Sequence, residues 1–256
     1  MNLFKQYSKP IYIGLIAGAL SGLFGVGGGI LIVPALIIFM KMDQKLSHGT
    51  SLAAILPIAV SGVIGYTTGN SIDWTAALFL TIGSAGFGAF FGTKLLQMLS
   101  RRVVAVLFIG VLVATAARMS LLSEVIANPK GISVLIAGEF VMLGLVSGVL
   151  AGLLGVGGGI VMVPAMVIFF SMPTTLAKGT SLVAIIPTAI VGTKRNIAKN
   201  NVNLKLAAIV GLSGVASSFL TSKISLNLDD RLSNHLFAGL LTIVALKLIS
   251  DERKVI

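Results

Sequence analysis

The sequence has no cysteine, only two histidines and few charges, with 11% of its 256 residues Asp, Glu, Lys or Arg. The missing cysteine excludes disulfides, iron–sulfur clusters and thiolate zinc sites. With His48 and His235 as the only histidines, neither a dedicated metal site nor a metal cofactor is expected. A soluble domain carries about 25% charged residues. This chain has fewer than half of that, too few to cover a water-exposed surface. Soluble enzyme, secreted scaffold and disordered chain are all disfavoured. No Ser–His–Asp set, HExxH or paired carboxylates occur, so no enzyme activity is expected.

What is present points to a bilayer. The chain is 56% hydrophobic, its mean hydropathy is +1.03, and apolar stretches of about 20 residues recur along it. Thirty glycines with 7% aromatics suggest closely packed membrane helices. The net charge of +11 sits between the apolar stretches, where a positive-inside bias places it, so nucleic acid is not an expected partner. Lys5 and Lys9 followed by an apolar run and Ala17-Gly18-Ala19 resemble a signal peptide. The run from Ile11 to Ile16 is too short for one, and the same pattern recurs in mid-chain. The segment is expected to stay in the mature protein.

The chain repeats itself. Residues 22–35, GLFGVGGGILIVPA, match 152–165, GLLGVGGGIVMVPA, at an offset of 130. The offset holds for 49–57, GTSLAAILP, against 179–187, GTSLVAIIP, and further on for Arg101 and Arg231. Residues 1–121 are the first repeat, 122–131 a polar linker and 132–256 the second repeat, together one transmembrane domain. Each half holds four apolar segments, at 11–40, 47–69, 74–96 and 103–121, then 133–170, 177–199, 204–222 and 232–249. The last three of each half suit single spans. The first would be roughly 45 Å long as one helix, against a hydrocarbon core of roughly 30 Å. It also contains Gly25-Val26-Gly27-Gly28-Gly29, and three successive glycines cost a helix roughly 3 kcal/mol relative to alanine. The expected fold is an all-α polytopic membrane protein whose halves each begin with a broken segment, 1a and 1b, followed by three helices.

Charge arbitrates the topology. If the broken segment crosses once, the halves are parallel and the 19 Lys and Arg divide 11 to 8. If it folds back, the halves are inverted and the division is 14 to 5. The positive-inside rule selects inverted-topology repeats, with both termini cytoplasmic. Inverted repeats with broken helices mark secondary transporters.

A glycine run also invites a nucleotide-binding reading. That needs a preceding strand, and in one version Lys-Ser/Thr after the loop; neither is here. In a membrane, the helix that starts at the glycines presents unpaired N–H groups with a partial positive charge to the break. Two breaks related by a pseudo-two-fold axis form a small anion site. The bland alternative is tight helix crossing. Leucine at Gly28 or Gly158 is expected to fill a break while leaving the protein folded and inserted. The second motif, His48-Gly49-Thr50-Ser51 and Lys178-Gly179-Thr180-Ser181, is expected to begin a helix in each half. Its hydroxyls either cap that helix or donate to an anion. His48 and Lys178 stand before these motifs as vestibule or coupling candidates, with a solvated loop as the alternative. Glu139 is a carboxylate flanked by apolar residues and a third coupling candidate. Lys194-Arg195-Asn196 is expected at a cytoplasmic helix end, and His235 as a packing residue.

At GLFGVGGGILIVPAL, GLLGVGGGIVMVPAM, HGTSLAAILP and KGTSLVAIIP the chain resembles the sulfite exporter TauE/SafE family of bacterial and archaeal membrane proteins. The resemblance runs through both halves. It implies a carrier of a small anion such as sulfite, a sulfonate, sulfoacetate or a small carboxylate, working without a cofactor. Substrate-binding candidates are Gly27, Gly28, Gly29, Thr50 and Ser51 in the first half. Gly157, Gly158, Gly159, Thr180 and Ser181 are their partners in the second. Membrane lipids are the surrounding partners; proton coupling and a homodimer are compatible with the pattern. An anion channel and a membrane scaffold without transport are the alternatives.

Overall fold

A computed structural model gives the structure of residues 3–98 and 134–253, and of separate positions between 103 and 117. The linker 122–131 and most of the segment 103–121 lie outside the described residues. The first segment is broken, as its glycines dictate. Helix α1 spans Leu3–Phe24, α2 spans Gly29–Met40, and residues 25–28 join them. Helix α3 follows at Gln44–Thr67. The third segment comprises α4, Trp74–Thr81, a π-helical stretch, Ile82–Gly88, and α5, Ala89–Met98. The second half repeats the order with α6 at Val134–Leu154, α7 at Gly159–Phe169, α8 at Thr174–Ile197, α9 at Leu204–Leu226 and α10 at Asp230–Arg253. Each third segment opens with a side-chain cap. Asp73 Oδ1 accepts from the Thr75 and Ala76 amides, and Asn203 Oδ1 from the Leu206 amide.

Small residues set which helices touch. Along α1, Gly14, Gly18 and Gly22 lie against Val210, Gly214 and Ser218 of α9, so close that a methyl on Gly18 would stand 2.2 Å from Gly214 O. The equivalent glycines of α6, Gly144, Gly148 and Gly152, lie against Leu80, Ser84 and Ala89. Glycines one turn apart let backbones approach this closely. Each half therefore packs its first helix on the third segment of the other half, and the halves interlock.

These contacts also fix direction. Helices α1 and α9 run parallel, and α3 runs with them: Ser61 Oγ donates to Val215 O at 2.6 Å, and Gly65 meets Ser222. Helix α6 runs parallel to the third segment of the first half. So does α8, through Thr180 beside Asp73 and Thr188 beside Ser84. Helices α3 and α8 cross antiparallel, with Gly62 against Leu182 and Gly192 against Leu52. Thus α1, α3 and α9 point one way and α4–α5, α6 and α8 the other, so equivalent helices of the two halves are opposed. Helices α1 and α3 can agree in direction because α2 doubles back, with Gly28 against Ala17 of α1.

Five described helices are long and apolar enough to cross a membrane: Gln44–Thr67, Trp74–Lys94, Leu135–Leu154, Thr174–Ile197 and Leu204–Leu226. The outer surface agrees, since Tyr12, Leu135, Leu212 and Ile243 are each at least 65% exposed. A water-soluble monomer does not leave so much apolar surface open.

Candidate functional site

The site is built where the two breaks meet. Gly25, Gly27 and Gly28 have φ of 71°, 77° and 78°; Gly155, Gly157 and Gly158 have 67°, 82° and 85°. Residues with a Cβ rarely hold this left-handed conformation. Close approach is a second constraint. A methyl on Gly25 would stand 2.6 Å from Lys178 Cα, and one on Gly155 would stand 2.7 Å from His48 Cα. The start of α8 thus covers the first break and the start of α3 covers the second.

Helices α2 and α7 begin at the breaks. The Leu31 and Ile32 amides donate to Gly28 O, and those of Val161 and Met162 donate to Gly158 O. Amides ahead of these have no carbonyl one turn back within the helix. Each helix start also approaches the opposite break. A methyl on Gly29 would stand 2.6 Å from Val156 Cα, and one on Gly159 would stand 2.7 Å from Val26 Cα. Every residue from 25 to 30 and from 151 to 160 is buried. Two helix N-termini, each worth roughly half a positive charge, therefore face one enclosed point.

The structure relocates the hydroxyl motif. Helix α3 starts at Gln44, with Asp43 accepting from the Lys45 amide, so Thr50 lies in the second turn and does not cap its own helix. Instead Thr50 Oγ1 accepts from the Asn203 amide at 3.0 Å, and Thr180 Oγ1 accepts from the Asp73 amide at 2.9 Å. Each threonine secures the start of the third segment in the other half. Ser181 Oγ lies 2.6 Å from Gly25 O, at the first break. Its equivalent, Ser51 Oγ, is buried with no partner among the described residues.

His48 and Lys178 are not in a solvated loop. Each is one turn inside its helix and buried beside a break. His48 Nδ1 lies 2.8 Å from Leu153 O; a carbonyl only accepts, so Nδ1 carries the proton. The Lys178 ammonium donates to Ser225 Oγ at 2.8 Å and to Ser233 Oγ. Ser225 in turn donates to Leu23 O at 3.0 Å, and Tyr66 OH donates to Gly22 O at 2.7 Å. The carbonyl end of α1 is thereby satisfied by side chains from α3 and α9. Glu139 is exposed near the start of α6, apart from these contacts. His235 is exposed too, with Nδ1 donating to Arg231 O one turn back.

Sequence reasoning missed Tyr66, Ser225 and the buried pair Thr188 and Ser84, whose hydroxyls are 2.7 Å apart. Tyr66 carried a signal: the repeat pairs it with Asn196, giving polar residues at matching helix ends. A basic cluster also went unmarked. Lys45, Arg195 and Lys199 gather where α3 begins and α8 ends, with the Arg195 guanidinium 3.6 Å above the Phe90 ring. Slight desolvation at this exposed position, then Arg195 and Lys45, hold the Lys199 ammonium below the usual lysine range.

Comparison with known proteins agrees with the doubled architecture. A family model described as sulfite exporter TauE/SafE matches residues 4–119 and again 140–255. The "Probable membrane transporter protein YunE" of Bacillus subtilis is 31% identical over 218 residues, covering 75% of this chain and 79% of that protein. A "Probable membrane transporter protein" of Methanocaldococcus jannaschii is 26% identical over 255 residues, covering 92% of each. One from Xylella fastidiosa (strain Temecula1) is 27% identical over 244 residues, again covering 92% of each. No solved structure matches the chain.

Proposed function

The chain belongs to the sulfite exporter TauE/SafE family, and from that premise we propose that it is a secondary transporter of a small anion bound between the two glycine breaks. One observation carries the reading: two helix N-termini, one from each half, face a single buried point. Such ends repel each other across a low-dielectric interior, and an anion between them removes the repulsion. Broken helices meeting at a repeat interface are where secondary transporters bind substrate. Gly27, Gly28 and Gly29, with Gly157, Gly158 and Gly159, supply backbone donors. Ser51, whose hydroxyl has no partner among the described residues, can donate as well. Thr50 and Thr180 hold the site together through the other half. Sulfite, sulfonates, sulfoacetate and small carboxylates are the anions that suit the site. His48 is the coupling candidate nearest the second break, and Lys178 the one nearest the first.

The membrane is the inner cell membrane and both termini face the cytoplasm. Helix directions support this orientation, since Lys9, Lys41, Lys45, Lys94, Lys194 and Lys205 lie at one end of the bundle. Lys223 and Arg231 lie at the other. The positive-inside rule puts the richer end in the cytoplasm.

Purified protein in vesicles tests the transport reading with labelled sulfite. A carrier gives saturable uptake, counterflow from unlabelled anion inside, and competition from sulfonates or carboxylates. Cations and neutral analogues of the same size should not compete. Flux without saturation or counterflow would make the protein a channel, and no flux would make it a scaffold.

A further inference from the structure

The two breaks face two isoleucines. Ile55 lies midway along α3 and Ile185 midway along α8, and the offset of 130 makes them equivalents. Both side chains are fully buried. A methyl on Gly27 would stand 3.1 Å from Ile55 Cγ2 and 3.4 Å from Ile185 Cγ2. One on Gly157 would stand 3.2 Å from Ile185 Cγ2 and 3.5 Å from Ile55 Cδ1. At both glycines the three nearest atoms all belong to these two side chains. Each isoleucine also closes on the start of its own half's short helix. Ile55 Cδ1 would be 2.7 Å from a methyl on Gly29, and Ile185 Cδ1 would be 2.8 Å from one on Gly159.

Each isoleucine therefore lies against both breaks, and the pair stands together where the two helix starts come closest. An anion cannot enter that space until the branched side chains give way. Stripping water from an anion against aliphatic carbon is costly, so a closed pair also blocks passive leak. Proline two residues further on, Pro57 and Pro187, removes a helical hydrogen bond beside each isoleucine. Both helices are thus weakest where the barrier must move.

We infer that Ile55 and Ile185 form the central barrier of the transport path and set the largest anion it admits. The inference rests on the anion-transporter reading above and adds the residues that determine specificity.

The test uses the full chain in vesicles, with sulfite and the straight-chain sulfonates from methanesulfonate to butanesulfonate as probes. The wild type gives a size cut-off. Ile55→Ala and Ile185→Ala should each raise flux of the first excluded sulfonate relative to sulfite by about tenfold or more, since one methylene in an apolar pocket discriminates by roughly 10–200-fold. The double variant should release loaded sulfite without counter-anion. Ile55→Val and Ile185→Val should move the cut-off the same way by less, and they serve if an alanine variant does not fold. Ile58→Ala is the control: Ile58 is equally buried, one turn further along α3, but turns to Gly214 of α9. An unchanged cut-off in folded Ile55 and Ile185 variants, or an equal change in Ile58→Ala, would overturn the inference while leaving the transporter. No flux of any probe through folded wild type would overturn the transporter reading, and this inference with it.

Discussion

Gly27 and Gly28 are adjacent, share one backbone conformation and have opposite surroundings. At Gly28 a methyl would stand 2.6 Å from Ala17 O, which is backbone and cannot yield. Leucine there would displace the break from α1, so Gly28→Leu does not separate a blocked site from a misfolded protein. This contact weighs against the expectation that the variant would stay folded. At Gly27 the three atoms nearest a methyl belong to isoleucine side chains, which can shift by the few tenths of an ångström required. The left-handed φ still costs alanine about 1–2 kcal/mol. We therefore expect Gly27→Ala to give a folded protein with a modestly lowered melting temperature and sulfite flux reduced about tenfold or more. Gly110→Ala, with nothing within 4 Å among the described residues, should change neither. Full flux in folded Gly27→Ala would remove the anion from between the breaks. The glycines were legible in the sequence as a doubled motif. Which of them faces side chains and which faces backbone was not, because that depends on how α2 returns along α1.

At the scale of helices, the same hydroxyl has two conceivable roles, and its partners decide between them. Thr180 Oγ1 accepts from the Asp73 amide, and Asp73 is also the cap of α4. Removing that acceptor leaves a partly buried N–H unpaired, at a cost of about 1–3 kcal/mol. Thr180→Val should accordingly lose about that much stability, read from unfolding in detergent. Thr180→Ser keeps the oxygen and should lose little. If Thr180→Val is as stable as wild type but transports poorly, the hydroxyl serves the anion directly. The broken first segments and the pairing of the GTSL motifs were legible, because they follow from hydropathy, length and the offset of 130. The cross-half caps were not, because each partner lies 107 or 153 residues away. The π-helical turn at Ile82–Gly88 was hidden too, since its glycine-rich apolar sequence reads like any other span. Burial of His48 and Lys178 was also invisible, since a break of the opposite half closes over each backbone and, for Lys178, the distant Ser225 and Ser233 of its own half take the side chain.

For the whole molecule, the direction of the helices converts a charge count into a geometric claim. If α1 and α2 formed one crossing, α3 would run against α1; in the structure it runs with it. Only the absolute orientation is then left for the basic end to decide. The absence of cysteine makes this directly measurable, because any introduced thiol is the only one. Thr68 and Ala198 occupy equivalent positions just past the ends of α3 and α8, and both are exposed. Their backbones are right-handed helical, so cysteine fits either without strain. Since α3 and α8 are antiparallel, the two sites lie at opposite ends of the bundle, and the proposed topology puts them on opposite faces of the bilayer. Ala198 neighbours Lys194, Arg195 and Lys199, the end that the positive-inside rule assigns to the cytoplasm. In intact cells, a membrane-impermeant maleimide should label Thr68→Cys and spare Ala198→Cys until the membrane is permeabilised. The reverse pattern would keep the inverted repeats and flip the molecule. Labelling of both from one side would mean that the halves are parallel, that no pseudo-two-fold axis relates the breaks, and that the paired helix ends cannot form one anion site.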